Sequence, residues 1–126
     1  MSKKQVSTDK APGAIGPYSQ AIIAGNWVYT SGQLGLDPST GELAEDVQAQ
    51  ARQSLTNVQA ILEEAGVSLD QVVKTTVFLK DMNDFAAVNE VYSTFFKEPY
   101  PARSAVEVAR LPKDGLVEIE VVARRK

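Results

Sequence analysis

Two stretches near the C-terminus alternate like strands, and the charges they carry limit how this chain can fold. In residues 102–111, Ser104, Val106 and Val108 share one face, while Arg103, Ala105, Glu107 and Ala109 share the other. In residues 117–123, Val117, Ile119 and Val121 face one way and Glu118, Glu120 and Val122 the other. Pro112, Lys113, Asp114 and Gly115 supply turn chemistry between them, so the pattern predicts an antiparallel hairpin. Pairing Leu111 with Leu116 sets Ala109 opposite Glu118, Glu107 opposite Glu120 and Arg103 opposite Arg124. The ionisable groups from Arg103 to Glu120 then share a face, and the apolar face is free to carry helices. Along such a hairpin Arg103 and Glu118 stand about six residues apart, roughly 20 Å at the strand rise. They cannot meet in one chain. A small site that uses both needs a second copy, which makes the polar face an interface.

The rest of the chain supplies a sheet and two helices. Residues 4–8 suit a short first strand, and Gly13, Gly16 and the prolines around them mark a loop. Residues 20–24 and 27–31 read as a hairpin across Gly25 and Asn26. Over residues 46–65, Val47, Ala51, Leu55, Val58, Ile61, Leu62 and Ala65 recur at the helical period, with Asp46 at the start and Gly66 just past the end. Residues 72–80 are β-branched and aromatic enough for a central strand. A second helix is expected from about Asn83, burying Phe85, Val88, Tyr92, Phe95 and Phe96, and closed by Pro99 and Pro101. The expectation is an α+β fold: one domain over residues 1–126, with a single mixed sheet of about six strands and both helices on one face. The uncovered face again points to oligomerisation.

Composition narrows the chemistry. The 126 residues include no cysteine and no histidine. That excludes disulfides, thiolate nucleophiles, Ser-His-Asp and Cys-His arrangements and the usual zinc sites. Acid–base work near neutral pH must fall to a carboxylate, Lys, Tyr or the substrate itself. A net charge of −3 makes nucleic acid an unfavourable partner. The N-terminal MSKKQVSTD has no apolar run after its lysines, and no stretch approaches a membrane span, so a cytoplasmic protein is expected.

Candidate site residues each have a plainer alternative. Arg103, flanked by short neighbours, could present its planar fork to a carboxylate, or pair with Glu107 at a sheet edge. Glu118 could accept a proton from water or hold it for attack, but a solvent-facing strand glutamate is commoner, and Glu107 and Glu120 compete for the role. Tyr18 and Ser31 sit at strand ends beside glycine-bearing loops, where ligand contacts and simple packing both occur. Gly32 offers an unobstructed backbone N–H to a small anion, or is merely a turn glycine. Asn89 falls within an apolar helical stripe, where a buried amide either ties down a neighbouring loop, the favoured reading, or faces a pocket.

Gly16-Pro17-Tyr18-Ser19-Gln20-Ala21, Ser31-Gly32-Gln33, Pro101-Ala102-Arg103-Ser104, residues 107–112 (EVARLP) and Val117-Glu118-Ile119-Glu120 together resemble the RidA subgroup of the Rid (YjgF-like) reactive intermediate deaminases. The match runs through essentially the whole chain in order. The resemblance implies a chorismate-mutase-like fold assembled as a homotrimer, with clefts between adjacent subunits. It makes Arg103 the carboxylate clamp and Glu118 the group that positions the hydrolytic water. Tyr18, Ser31, Gly32 and Asn89 line the pocket, with Tyr18 and Glu118 from the neighbour of the subunit giving Arg103. Many members carry Cys where this chain has Ala105. Thiol chemistry is thereby excluded at that position, while a backbone contact from Ala105 to the substrate remains open.

The implied reaction is hydrolysis of 2-iminopropanoate or 2-iminobutanoate to the 2-oxo acid and ammonia, without metal or cofactor. A protonated imine is already strongly electrophilic, so holding its carboxylate and aiming a water suffice. Two rival readings follow from the same resemblance or the same clefts: an endoribonuclease or translation inhibitor, and a non-catalytic small-ligand-binding or holdase protein.

Overall fold

The helical period in the first half of the chain forms α1 (Val47–Glu64). Asp46 caps it by accepting the Ala49 N–H at 2.8 Å. Gly66, at φ +84, follows its end, with the Gly66 N–H on the Glu63 carbonyl and the Val67 N–H on that of Leu62. The computed structural model describes residues 2–126. Its strands are β1 (Lys3–Val6), β2 (Ala21–Ala24), β3 (Trp27–Thr30), β4 (Gln33–Leu34), β5 (Val72–Leu79), β6 (Ala102–Glu107) and β7 (Val117–Arg124). The second helix, α2 (Phe85–Tyr92), starts two residues later than Asn83, because a 3-10 turn over Met82–Asp84 precedes it.

All seven strands form one mixed sheet in the order β1-β2-β3-β7-β5-β6, with β4 paired to β7 beyond the end of β3. The strand missed in the sequence is β4, only two residues long. Tyr29 is registered with Val122 and Gln33 with Ile119, four residues against three, so one extra residue bulges between β3 and β4. There Thr30 Oγ1 accepts the Val121 N–H at 3.1 Å.

The expected hairpin between residues 102–111 and 117–123 does not form. β5 lies between β6 and β7, parallel to the first and antiparallel to the second. The Leu79 carbonyl accepts the Val108 N–H at 2.8 Å, and the Lys80 N–H donates to the Leu116 carbonyl at 3.1 Å, so the end of β5 is wedged between the two segments. The turn chemistry was real: Pro112–Asp114 is a 3-10 turn in which Lys113 and Asp114 take φ 57 and 56. However, β6 stops at Glu107, and the intervening residues 108–116 are long enough to pass around β5. The register also keeps Glu107 away from Glu120, setting them opposite Leu79 and Thr76 respectively.

This insertion overturns the shared polar face. Thr75 is registered with Arg103 and Val121, and both Thr75 and Val121 are buried beneath the helices. Arg103, Ala105 and Glu107 therefore lie on the helix side. Glu118 and Glu120, opposite Phe78 and Thr76, lie on the open side with Ser104 and Val106. The inward alternation of β7 itself is as expected: Val117, Ile119, Val121 and Ala123 are all buried. They pack with Val28, Val77 and Leu79 against Ala51, Leu55, Val58, Ile61 and Leu62 of α1 and Val88, Val91 and Tyr92 of α2.

Several buried positions on α1 are polar. Ser54 Oγ donates to the Gln33 carbonyl at 2.6 Å, and Asn57 Nδ2 donates to the carbonyls of Leu34 and Leu36. Gln50 gives its Nε2 to Ala44 and accepts the Leu116 N–H at 2.9 Å. These bonds draw β4 so close that a Cβ on Gly35 would stand 2.5 Å from Gln50 Cα. Backbone cannot yield as a side-chain tip can. Gly35→Ala is therefore expected to destabilise the fold by about 1–3 kcal/mol, read as an earlier midpoint in urea; an unchanged midpoint would mean that β4 and α1 are not in rigid contact.

Candidate functional site

The structure sorts the predicted site residues into two groups on opposite sides of the sheet. The first surrounds Arg103. Its Nη1 donates to Asn89 Oδ1 at 2.6 Å. Its guanidinium carbon lies 5.1 Å from the ring centroid of Phe85 and 4.8 Å from that of Tyr92. Asn89 is exposed rather than a buried amide tying down a loop, the reading favoured from the sequence; it lines a pocket, and its partner is the candidate clamp. Arg103 and Asn89 line a cavity of about 420 Å³ with Tyr92, Ser93, Tyr100 and Pro101. Arg103 does not pair with Glu107, whose Oε1 instead accepts the Met82 N–H at 2.8 Å.

The second group surrounds Glu118. With Tyr18, Gly32, Gly13, Ile15 and Lys113 it lines a separate cavity of about 350 Å³. Burial, and secondarily the charge of Glu120, pushes the Glu118 carboxyl above its ordinary 4.5. Nothing in the sequence distinguishes Glu118 within the three-acid set; its place in this cavity does. Gly32 is more than a turn glycine: a Cβ there would stand 2.9 Å from Glu118 Cδ and 3.0 Å from Oε2, so its bare backbone lets the carboxylate lie against the bulge.

Ser31 lies on the same side as this second group, lining a groove with Pro17, Tyr18 and Thr30. Its hydroxyl donates to the Ser19 carbonyl at 2.6 Å and its N–H to the Gln20 carbonyl at 2.9 Å, which fastens the Tyr18 loop to the end of β3. Ala105 lines neither cavity; it packs against the core from the helix side. Registered through β5, Arg103 and Glu118 are separated by three residues along the strand and two strand spacings. That is roughly 14 Å between Cα atoms, shorter than the hairpin implied, but with the side chains on opposite faces.

Sequence reasoning missed Gln20. It is buried at the base of the loop carrying Tyr18, with Nε2 donating to the carbonyls of Thr8, Ala11 and Pro12 and Oε1 accepting the Thr8 N–H at 2.7 Å. A glutamine at the junction of the glycine- and proline-bearing loop with the strand was the available signal. Phe85 and Tyr92 were assigned only to the core, although their spacing from Asn89 places all three on one helical stripe. Among the described residues no group of three or more His, Cys, Asp or Glu is placed to hold a metal ion, and no helix is long and apolar enough to cross a membrane.

Known proteins match this chain in sequence and fold over nearly its whole length. The family model described as endoribonuclease L-PSP matches residues 8–125. The chain is 59% identical over 126 residues to the 2-iminobutanoate/2-iminopropanoate deaminase of Salmonella typhimurium, covering 98% of each. The crystal structure of E. coli TdcF with bound serine is similar at 55% identity and TM-score 0.94, covering 98% of this chain and 99% of that one. A Yersinia pestis protein of the conserved Rid family is similar at 49% identity and TM-score 0.95, over 98% and 99%. With nearly the whole chain matched in sequence and fold, the chain belongs to the endoribonuclease L-PSP family, the family of the Rid proteins.

Proposed function

We infer that this protein hydrolyses 2-iminobutanoate and 2-iminopropanoate to 2-oxo acids and ammonia, in a site that two copies of the chain build together. The observation that carries the reading is the division of labour between the two cavities. One presents a guanidinium oriented by Asn89, and the other a carboxylate whose protonation equilibrium burial has raised. This division occurs in a chain 59% identical over its length to a curated deaminase of that specificity. A serine-bound relative adds that a small amino acid is a ligand of that protein.

In the reaction, the substrate carboxylate accepts N–H donors of Arg103 that Asn89 leaves unused. Water adds to the iminium carbon as Glu118 takes one of its protons, which gives a neutral carbinolamine. That proton passes to the amino nitrogen. The C–N bond then breaks as the hydroxyl gives its proton to the Glu118 carboxylate, its oxygen becomes the carbonyl of the 2-oxo acid, and ammonia departs, taking that proton from Glu118 as ammonium. Tyr18 and Gly32 bound the cavity where the water waits.

Assembly follows from the placement of the two groups. The open face of the sheet exposes Tyr29 and Val106, with Ile22, Phe78 and Val122 half-buried beside them, an apolar surface suited to a second copy. Contact between the Arg103 side of one copy and the Glu118 side of the next is heterologous, and such contacts form a ring when the rotation between copies closes. The ring proposed is a homotrimer. RNA cleavage, which the family description names, is poorly served by a chain with no histidine and a net charge of −3.

Replacing Arg103 by lysine substitutes a point charge for the fork. KM for 2-iminobutanoate should rise about ten- to a hundredfold, the span for losing a hydrogen bond to a charged group, in an assay that generates the imine with a threonine dehydratase. Unchanged catalytic efficiency would rule out the clamp. Glu118→Gln should leave the mass in solution at three chains while kcat falls about a hundredfold or more; full turnover would move water activation to Glu120 or to solvent.

The pH dependence has a defined sign. The active form of Glu118 is the carboxylate, and its pKa is raised, so kcat/KM should fall as pH drops through a value above 4.5. Glu120→Gln removes the like charge and should move that limb to lower pH. A limb that stays in place would show that burial alone sets the shift.

A further inference from the structure

Arg103 is constrained by much more than one hydrogen bond. The residues around its guanidinium, Phe85, Asn89 and Tyr92, all come from α2 at the spacing that places side chains along one stripe. Tyr92 is itself fixed from below: its hydroxyl shares a 2.8 Å hydrogen bond with Thr75 Oγ1 in the core, and its ring packs 4.6 Å from that of Phe96. Thr75 is the residue registered with Arg103 on the adjacent strand. The contacts therefore close a circuit, from the Arg103 guanidinium to the Tyr92 ring, through Thr75, and back to the Arg103 backbone.

A guanidinium offers two kinds of surface. Its flat faces stack on aromatic rings, and its edge carries the N–H donors. Here the guanidinium lies over the rings of Phe85 and Tyr92, 5.1 and 4.8 Å from their centroids, while Asn89 consumes one donor of the edge. An arginine on an exposed edge strand would otherwise sample many rotamers, presenting its fork only part of the time.

We propose that Phe85 and Tyr92 are positioning residues for substrate recognition: their rings set the plane of the Arg103 guanidinium, so that its remaining edge donors face the cavity and select a planar carboxylate. The proposal rests on the reading of Arg103 as the clamp. It assigns carboxylate selectivity to α2 as much as to the arginine. Because water activation belongs to Glu118 on the other side of the sheet, loss of the rings should be felt in binding rather than in turnover.

Phe85→Leu keeps an apolar side chain of similar length and removes the ring face. KM for 2-iminobutanoate, and Kd for 2-oxobutanoate by titration calorimetry, should each rise about three- to tenfold with kcat within twofold of the parent. Phe85→Tyr, which restores a ring, should recover most of the loss, a pattern that a merely structural phenylalanine would not give. Should Phe85→Leu fold incompletely, Tyr92→Phe in the same calorimetric assay gives the second reading. It frees the ring from Thr75, and the preference for 2-oxobutanoate over its neutral amide should narrow. If Phe85→Leu leaves KM and Kd unchanged while Arg103→Lys raises both, the rings have no positioning role and the clamp survives; if Arg103→Lys is silent as well, the clamp itself is wrong. A fall in kcat at constant KM would also overturn the proposal.

Discussion

Neighbouring parallel strands cannot be joined by a tight turn; the chain must leave the sheet, cross over and return. Among the described residues the pairing of β5 with β6 is the one contact of that kind between neighbouring strands, and the placement of Arg103 depends on it. The crossover is α2, so the helix necessarily lies over the strand it delivers, and its stripe of Phe85, Asn89 and Tyr92 meets Arg103. The same pairing places β5 between β6 and β7, which sends Arg103 and Glu118 to opposite faces. A hairpin would have put both charges on one wet surface with no helix above the arginine.

The loops that complete the second cavity are held in a different way. Irregular backbone carries unpaired polar groups, and these need partners wherever the loop approaches the core. Gln20 supplies them for the loop bearing Tyr18, and Gln50, Ser54 and Asn57 supply them for the segment from Gln33 to Ala44. Each of these four side chains is buried and hydrogen-bonded. Through them α1 fixes β4, β4 fixes the bulge at Gly32, and the bulge sets how closely Glu118 can lie against the backbone. Buried polar side chains that do not line the Glu118 cavity thus help determine its surroundings.

Local pattern was legible in the sequence, and adjacency was not. The α1 period, its Asp46 cap and Gly66 terminus, the central character of β5 and the inward set of β7 all follow from spacing and residue type, because each is settled within a few residues. The turn at Pro112–Asp114 was also correctly placed. What lay beyond reach was whether the strands on either side of it touch, since a third strand from forty residues upstream competes for the same edges, and no local signal records that competition. The reasons for choosing the candidate residues do not depend on the hairpin, because each rests on local chemistry. Arg103 is still a fork beside short neighbours, and Glu118 is still a strand glutamate near a turn. Their separation survived too, for a different reason than the hairpin suggested. Gln20 and the aromatic support of Arg103 escaped notice because a glutamine where a loop meets a strand and a core tyrosine look ordinary until their partners are known.

Distributing the two charges over opposite faces has an electrostatic consequence in the proposed assembly. A neighbour that covers the Glu118 cavity removes more water from a carboxyl already held above its ordinary range, which favours the neutral acid further. The same neighbour brings the Arg103 cation, which favours the carboxylate. The two effects oppose, and their balance is struck only when the copies are together. Substrate enters that balance as well, because its own carboxylate neutralises the guanidinium and so withdraws part of the support for the ionised glutamate. A glutamate with its proton affinity raised in this way is better able to take a proton from the attacking water, at the moment when the iminium charge is being quenched and a base is needed. In the proposed assembly the neighbour's guanidinium and the substrate's carboxylate therefore act on Glu118 with opposite signs, and a chain without histidine would reach its base by arranging which charges approach one carboxylate.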